Sequence, residues 1–325
     1  MADVVCVGIM VADVVAKPVD VWPERGKLAL VGRMELHTGG CAANTAVGLA
    51  RIGIETGVIG RVGRDGFGDF IVRKLKREGV DTSGVVKDRE ALTSSTMVMV
   101  HGDGERSFLH YLGANAKLTA GDVKWDLVSG AEILHVAGAF LMPALDGEPT
   151  ARLLQEARAR GITTALDTGW DSMGNWMSVL APVLPYVDIF LPSIEEARML
   201  TGEEEPERIA RDLVERGVGV VGLKMGERGC YLHTRAEAMA ISAYKIDPVD
   251  ATGAGDAFVA GFLTGVLRGW DLERTGHFAN AVGALCTQAI GTTAGIKSLA
   301  ETERFMANTP LRTNGVLPAT GPGSV

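Results

Sequence analysis

The sequence has few cysteines and lacks the spacing that would make them a structural framework. Its four cysteines are Cys6, Cys41, Cys230 and Cys286, and no two of them form a Cys-x-x-Cys pair. The six histidines show no ligand spacing either. Wide separation of this kind argues against a disulfide scaffold or a zinc site. We therefore expect reduced thiols in a cytoplasmic protein.

Long apolar runs and a basic surplus are also missing. No uninterrupted apolar stretch approaches the ~20 residues of a membrane-spanning helix, so no membrane partner is expected. The apolar run Val4–Val7 follows the first residues without a basic region or a cleavage site, which predicts a strand and not a signal peptide. Acidic residues number 40 and basic residues 32, for a net charge of −8. An acidic chain argues against a nucleic-acid partner.

Short apolar segments alternate with helical patterns along most of the chain, of which 46% is hydrophobic. Val, Ile and Leu dominate the short segments, as expected of buried parallel strands. The predicted strands are Val4–Gly8, Thr56–Gly60, Ile133–Gly138, Thr163–Thr168, Val187–Pro192 and Val218–Lys224. The predicted helices are Asn44–Ile52, Phe70–Glu78, Pro149–Arg160 and Pro206–Arg216, each followed by glycine. This alternation predicts an α/β fold with a mainly parallel sheet and helices on both faces.

Two segments, 11–36 and 92–112, break this rhythm and read as extended chain with turns. Within the second, Ser95–His101, the turn 102–104 and Arg106–Tyr111 form a hairpin pattern. We expect both segments to pair into a small sheet that protrudes from a single domain of residues 1–308. Residues 309–325, rich in Pro, Gly, Thr and Ser, are predicted to form a mobile tail.

The run Asp250-Ala251-Thr252-Gly253-Ala254-Gly255-Asp256 leads into a helix with an apolar stripe. Its small residues therefore lie at a helix N-terminus, where unsatisfied amides and the helix dipole favour an anion. Asp256 is an unusual choice for a site that only binds phosphate. It suits a site in which a hydroxyl loses its proton while amides stabilise a transferring phosphoryl group. The same residues taken alone also fit a plain helix cap.

Two familiar nucleotide-binding motifs are absent. No Gly-x-x-x-x-Gly-Lys-Ser/Thr occurs, which excludes a P-loop. The glycines at 253 and 255 are not followed by the third glycine of a dinucleotide fingerprint, and they lie late in the chain.

Two signatures carry a resemblance to a known family. The run from Asp250 to Asp256 resembles the C-terminal signature of the ribokinase-like (PfkB-type) carbohydrate kinases. Gly39-Gly40-Cys41-Ala42-Ala43-Asn44, followed by Leu49–Gly53, is similar to that family's N-terminal signature. The resemblance extends to about Glu303. It implies an ATP-dependent kinase with a ribokinase-like fold, a large α/β domain and a small β-sheet lid.

The resemblance also implies roles for particular residues. Asp256 would be the general base, and the turn Gly253-Ala254-Gly255 with the amide of Asp256 would form the anion hole. The substrate side would comprise Asp13, Gly39, Gly40 and Asn44. A carboxylate and an amide suit a polyol because each can bond two hydroxyls. Arg106, at the end of the hairpin, could reach an anionic or hydroxylated substrate, or be a solvated charge.

For the nucleotide, the resemblance implies a second group of residues. ATP would be contacted by Ser193, Lys224, Gly226, Gly229, Thr252, Gly253, Gly255 and Asn280. Glu196 would hold Mg²⁺ through water, and Asp250 is a candidate ligand for a monovalent cation such as K⁺. Ser193 departs from the family pattern, which has asparagine there.

The acceptor stays open at this point. Cys41 stands where ribokinase and phosphosugar kinases often have lysine, which disfavours a phosphorylated substrate. A neutral sugar, a sugar acid such as 2-keto-3-deoxygluconate, and a nucleoside stacked on Phe108 or Tyr111 all remain open. A non-catalytic regulatory protein is the remaining alternative, and Asp256 argues against it. A homodimer through the lid is also expected.

Overall fold

Thirteen strands run through the residues that the computed structural model describes, 2–103 and 105–313. They are β1 (Val4–Gly8), β2 (Val11–Lys17), β3 (Arg33–Gly39), β4 (Thr56–Gly63), β5 (Asp81–Asp88), β6 (Ser95–Val100), β7 (Arg106–Tyr111), β8 (Ile133–Ala139), β9 (Thr163–Thr168), β10 (Ile189–Phe190), β11 (Val220–Lys224), β12 (Cys230–His233) and β13 (Ala238–Ile241). All six predicted strands occur, and two of them have the predicted bounds. The segment predicted as Val187–Pro192 keeps only the two residues of β10.

Nine strands form one large sheet in the order β13-β12-β11-β10-β9-β8-β1-β4-β5. The seven strands from β11 to β5 are parallel, and β12 and β13 add an antiparallel edge. Because the parallel strands share a direction, their carboxyl ends meet at one edge of the sheet. Polar residues at these strand ends are thereby brought together.

Ten helices accompany the sheets in the described residues. They are α1 (Cys41–Ile52), α2 (Gly66–Arg77), α3 (Trp125–Val128), α4 (Glu148–Ala159), α5 (Met177–Leu180), α6 (Ile194–Thr201), α7 (Pro206–Glu215), α8 (Ala254–Leu267), α9 (Leu272–Thr287) and α10 (Leu299–Asn308). One apolar core packs α4, α6 and α7 on one face of the large sheet. A second core packs α1, α2, α8 and α9 on the other face. The predicted α/β class, with helices on both faces, is confirmed.

Helix α1 begins three residues before the predicted start. Gly40 takes a positive φ of 93° at its N-cap, so the chain turns into the helix there and not at Asn44. The backbone N–H of Asn44 donates to the Gly40 carbonyl at 2.9 Å. The Asn44 side chain is therefore not a helix cap.

A separate four-stranded sheet, the small sheet, has the order β3-β2-β6-β7. Strand β2 pairs antiparallel with β3 and parallel with β6, and β6 pairs antiparallel with β7. The predicted pairing of the two irregular segments is thus confirmed, with residues 18–32 forming the loop that joins β2 to β3.

Of the segment predicted to be a mobile tail, residues 309–313 are described. The backbone N–H of Arg312 donates to Ala243 at 2.8 Å, and the Pro310 carbonyl accepts from Lys245 at 2.8 Å. Residues 314–325 lie outside the described residues. Among the helices described, none has the length and apolarity required to cross a bilayer.

Candidate active site

A cavity of about 530 Å³ lies between the small sheet and the loops that lead into α1 and α8. Its lining brings together residues from both sequence signatures. Those predicted from the sequence are Asp13, Gly39, Gly40, Asn44, Arg106, Asp250, Thr252, Gly253 and Asp256. They are separated by more than 200 residues in the chain and meet here because the small sheet covers the start of α8.

The backbone at the start of α8 requires glycine. Gly253 is the N-cap residue and has a φ of 79°, in the left-handed region. A Cβ at this position would also collide with the carbonyl of Thr292. The Ala254 N–H donates to Ala251 O at 3.3 Å, so the amides of Gly255 and Asp256 are the better candidates for binding an anion at this helix N-terminus.

Asp256 projects its carboxylate from the first turn of α8 into the cavity. Its Oδ2 accepts a hydrogen bond of 2.8 Å from Asn44 Nδ2. The Oδ1 of Asn44 has no protein partner among the described residues, although Asn44 is only 5% exposed. Burial and, second to it, the charge of nearby Asp167 raise the pKa of Asp256 to about 6, against the lowering effect of Asn44 and Lys224. The group can therefore accept a proton near neutral pH.

Asp13, on β2, forms another wall of the cavity. A Cβ at Gly39 would collide with the Asp13 carboxylate, so the missing side chain leaves room for that group. Burial raises the pKa of Asp13, and the net value is about 6 although a hydrogen bond from Thr96 and the nearby His37 act to lower it. The carboxylate is thus positioned to accept hydrogen bonds from a polar molecule in the cavity.

Arg106 links the small sheet to the loop before α8. Its Nη1 donates to Asp250 Oδ1 at 3.1 Å and also to Thr252 Oγ1. The Asp250 carboxylate further accepts the amides of Thr252 at 2.9 Å and Gly291 at 3.0 Å. With these donors in place, both carboxylate oxygens are occupied, so Asp250 fits a monovalent cation only after Arg106 has moved away.

Lys224, at the carboxyl end of β11, lies beside the amides of α8. A Cβ built on Gly255 would lie 3.4 Å from Lys224 Nζ. A cation next to unsatisfied amides strengthens an anion-binding position.

Ser193 and Glu196 form a reciprocal cap at the start of α6. Ser193 Oγ accepts from the Glu196 N–H at 3.2 Å, and Glu196 Oε2 accepts from the Ser193 N–H at 2.8 Å. Thr168 Oγ1 also donates to Glu196 Oε2, at 3.0 Å. The bonds from Ser193 and Thr168 both end on Oε2 of Glu196, and they hold its carboxylate at the carboxyl edge of the sheet. Such a carboxylate fits a hydrated Mg²⁺, which binds oxygen ligands and keeps several waters.

Asn280, Gly226 and Gly229 lie away from the large cavity. Asn280 Nδ2 donates to the carbonyls of Ile241 at 3.1 Å and Ser242 at 3.2 Å, at the end of β13. A smaller hollow of about 350 Å³ adjoins this strand end and is lined by Ile241, Ser242 and His277 among others. Gly229 lies against Ile241, where a Cβ would collide with the carbonyl.

The sequence reasoning missed Asp167. This residue of β9 is 1% exposed and lies close to Asp256 and Cys41, with their ligand atoms all within 4.8 Å of one another. A usable signal was present, because Asp167 interrupts an apolar strand near its carboxyl end, where a plain core strand has no reason to place a charge.

Comparison with known proteins places this geometry in a family. The pfkB family carbohydrate kinases match residues 1–299. The 2-dehydro-3-deoxygluconokinase of Bacillus subtilis is 30% identical over 296 residues, covering 87% of this chain and 91% of that protein. An Arabidopsis thaliana ribokinase solved with ribose and ATP superposes with a TM-score of 0.83 and 26% identity, covering 94% of this chain and 98% of that one.

A further solved structure bears on the nucleotide. An Escherichia coli protein described as ribokinase II, in complex with ATP and Mg²⁺, has a TM-score of 0.82 and 26% identity over 94% of this chain and 99% of that one. The family match over nearly the whole chain and the two signatures at one cavity lead to the same assignment. The chain belongs to the pfkB family of carbohydrate kinases and is an ATP-dependent sugar kinase of the ribokinase-like fold.

Proposed function

We propose that this kinase transfers the γ-phosphate of ATP to a hydroxyl, preferably a primary alcohol, of a small sugar or sugar acid. The observation that carries the proposal is the Asp256 carboxylate. It faces the cavity from a helix N-terminus, with a pKa raised to about 6 by burial and by Asp167. An anion-binding turn gains nothing from a carboxylate unless a proton must be removed beside it.

In the proposed reaction, Asp256 accepts the proton of the sugar hydroxyl as its oxygen bonds to the γ-phosphorus. The bond between that phosphorus and the bridging oxygen of ADP breaks, and ADP leaves. The amides of Gly255 and Asp256, with Lys224 beside them, stabilise the charge on the phosphoryl oxygens. Removing one such donor costs roughly 3–4 kcal/mol of transition-state stabilisation.

The remaining site residues position the two substrates. Asn44 holds Asp256 through Nδ2, and its own Oδ1 is enclosed without a protein partner among the described residues. Asp13 accepts hydroxyls on another wall, and Gly39 and Gly40 let the sugar lie against backbone. The ATP contacts proposed from the sequence are Ser193, Lys224, Gly226, Gly229, Thr252, Gly253, Gly255 and Asn280. Of these, Asn280 would act indirectly, by holding the end of β13.

Glu196 would hold Mg²⁺ through water. Bound Mg²⁺ would neutralise charge on the phosphates of ATP. K⁺ at Asp250 stays a prediction, with the condition that Arg106 first releases the carboxylate.

Three cations in the cavity make a sugar acid one of the acceptors that it can take, although the carboxylates of Asp13, Glu35, Asp250 and Asp256 line the same cavity. Lys17, Arg33 and Arg106 all line it, and the first two come from β2 and β3. Arg33 is already paired with Glu35 at 2.5 Å and Arg106 with Asp250, so Lys17 is the cation best placed to meet a carboxylate. Relatives at about 30% identity include a 2-dehydro-3-deoxygluconokinase and also a fructokinase and a ribokinase, so their names do not choose between a sugar acid and a neutral sugar.

One observation supports a nucleoside as the alternative acceptor. Phe108 lines the cavity and is 59% exposed, so its ring could stack on a base. A screen of ATP consumption across neutral sugars, sugar acids, nucleosides and phosphosugars tests both ideas. We expect turnover with sugars or sugar acids. Turnover with nucleosides alone would transfer the assignment to the alternative, and no turnover with any class would contradict both proposed acceptors.

A further inference from the structure

A second carboxylate lies behind the proposed base, and the reaction above gives it no role. Asp167 is fully enclosed, and its Oδ1 accepts a hydrogen bond of 2.7 Å from the Gly138 N–H. The acidic oxygens of Asp167 and Asp256 and the sulfur of Cys41 lie within 4.8 Å of one another. Burying a carboxylate is costly unless it is paired or hydrogen-bonded, so its presence next to the base requires a reason.

His135, which lies beside Asp167, does not supply a counter-charge. His135 Nε2 lies 3.9 Å from Asp167 Oδ2, too far for a hydrogen bond. Neither ring nitrogen of His135 meets hydrogen-bond geometry with a described residue, and the side chain is completely buried. Burial lowers the pKa of His135 to about 4, so the imidazole is neutral at pH 7.

The charges around the two carboxylates do not balance. The titratable and charged groups that face them are Cys6 (β1), Asp13 (β2), Cys41 (α1), His135 (β8), Glu196 (α6), Lys224 (β11) and Cys286 (α9). Burial raises the pKa of all three thiols, so they remain neutral. Among the groups named here, Lys224 is the cation. The carboxylates outnumber it, so this cluster of groups carries a net negative charge.

We propose that Asp167 is a positioning residue that acts through Asp256, holding a second negative charge close to the base so that the base binds a proton more tightly. Like charges that share a buried site disfavour the ionised form of each. A base with higher proton affinity removes a hydroxyl proton more effectively. This inference rests on the proposed role of Asp256. The hydrogen bond from the Gly138 N–H holds the Asp167 carboxylate in position, and so holds it close to the base.

The direct test is a titration of Asp256 that needs no sugar. Protein labelled with ¹³C at the aspartate carboxyl carbons is titrated by NMR, and Asp256 is assigned by its loss in Asp256→Asn. In Asp167→Asn the side-chain oxygen still accepts the Gly138 N–H while the charge is gone. We expect the midpoint of Asp256 to fall by about one pH unit or more. An unmoved midpoint overturns the proposal.

Asp146→Asn is the matched control. Asp146 is a half-buried carboxylate that accepts two backbone amides, from Phe140 and Met142 at 3.0 Å each, and it does not belong to the groups that face Asp256. In Asp146→Asn the titration midpoint of Asp256 should not change. A shift equal to that in Asp167→Asn would count against a specific role for Asp167. If Asp167→Asn does not fold, Asp167→Ser replaces it, because a hydroxyl can still accept from Gly138.

Kinetics separate this inference from the proposed function. With the acceptor that the screen identifies, Asp167→Asn should move the acid limb of kcat/KM to lower pH and lower the plateau roughly threefold to tenfold. A plateau and limb that both match the wild type would contradict the inference even in an active kinase. Absence of kinase activity in the wild type would remove the proposed function, while the titration result would still stand.

Discussion

The carboxyl group of Asp256 illustrates how neighbours decide what a residue can do. An aspartate in water is a weak base with a pKa near 4. Partial burial and the charge of Asp167 raise the pKa of Asp256 to about 6. Asn44 keeps the side chain oriented by donating to Oδ2. The chemistry of the residue therefore depends on side chains that are distant in the sequence.

Replacing Asp256 by Asn should separate activity from stability. Loss of the base should lower kcat by roughly 10²–10⁴-fold while ATP still binds, as measured by calorimetry. Because the pKa of Asp256 is raised in the fold, the charged form is destabilised there above pH 6. Removing that charge should raise the free energy of unfolding at pH 8 by about 1–2 kcal/mol, a discounted value because the group is partly exposed to the cavity.

Denaturant unfolding at two pH values checks the sign of this effect. The gain from Asp256→Asn should be largest above pH 6, should shrink as the pH is lowered, and should vanish only below about pH 4, where the carboxyl is protonated in the unfolded chain as well. Near-normal turnover would remove Asp256 as the base, and a stability gain that does not change with pH would contradict the electrostatic explanation.

The acid limb of the pH profile should report the same group. The base must be deprotonated, so kcat/KM should rise with pH through about 6 and level off above 7. Asp13, whose pKa burial also raises to about 6, can add a second ionisation and steepen the limb. An acid limb near pH 4 would indicate a carboxylate with an ordinary pKa and would contradict this account.

At the scale of elements, helix starts supply the fixed geometry of the site. The cap between Ser193 and Glu196 holds α6 in place and keeps the Glu196 carboxylate beside Thr168. Serine is shorter than the asparagine that the family usually has here, yet it makes the cap. Local sequence therefore maintains the start of this helix despite the departure.

Ser193→Ala should reduce stability through the lost cap. We expect the free energy of unfolding to fall by about 0.5–2 kcal/mol, measured by denaturant unfolding. We also expect the variant to need a higher Mg²⁺ concentration for half-maximal activity, because the Glu196 carboxylate is less well held. Ser193→Asn should retain both properties, because asparagine is an equally good cap. Equal losses in the two variants would show that the cap is not the feature that matters.

The small sheet is tied to the main body by Arg106, so this contact should control its local opening. In Arg106→Ala, amide hydrogen exchange in β6 and β7 should accelerate roughly twofold to fivefold, in keeping with an ion pair of ~0.5–1 kcal/mol. Arg33→Ala is the matched control, because Arg33 pairs with Glu35 of its own strand. Equal acceleration of hydrogen exchange in both variants would show that Arg106 does not specifically hold the small sheet on the main body.

At the scale of the whole molecule, the small sheet has an apolar outer face. Side chains alternate along a strand, so the residues between those that line the cavity point away from it. The exposed members of this outer face are Met34, Leu36, Met97, Leu109 and Tyr111. A contiguous exposed apolar patch commonly marks an interaction surface, which supports the proposed homodimer through this sheet.

Light scattering of the purified protein tests that dimer. We expect about twice the chain mass of 34.3 kDa, and a monomer for the double variant Met97→Lys/Leu109→Lys. Met173→Lys is the control, since Met173 is 82% exposed but lies in the loop after β9, outside the small sheet. A monomeric wild type would contradict the prediction.

The sequence by itself determined the elements and the chemistry of the two signatures. Apolar runs such as Val4–Gly8 and Thr163–Thr168 specify buried strands locally, and β1 and β9 have those bounds. Gly253 requires a positive φ at the start of α8, and that requirement is local too. The hairpin of β6 and β7 was equally predictable, because turn residues and alternation act over a few positions.

Only the tertiary structure decided that Asp167 lies beside Asp256 and how the buried groups of the site titrate. Asp167 looked like a residue within a core strand, and its nearness to Asp256 follows from the order of strands and the packing of α8 on the sheet. The occupation of Asp250 by Arg106 depends on how the small sheet lies on the body. Burial and charge act through space, so no pattern along the chain could give the proton affinity of Asp256.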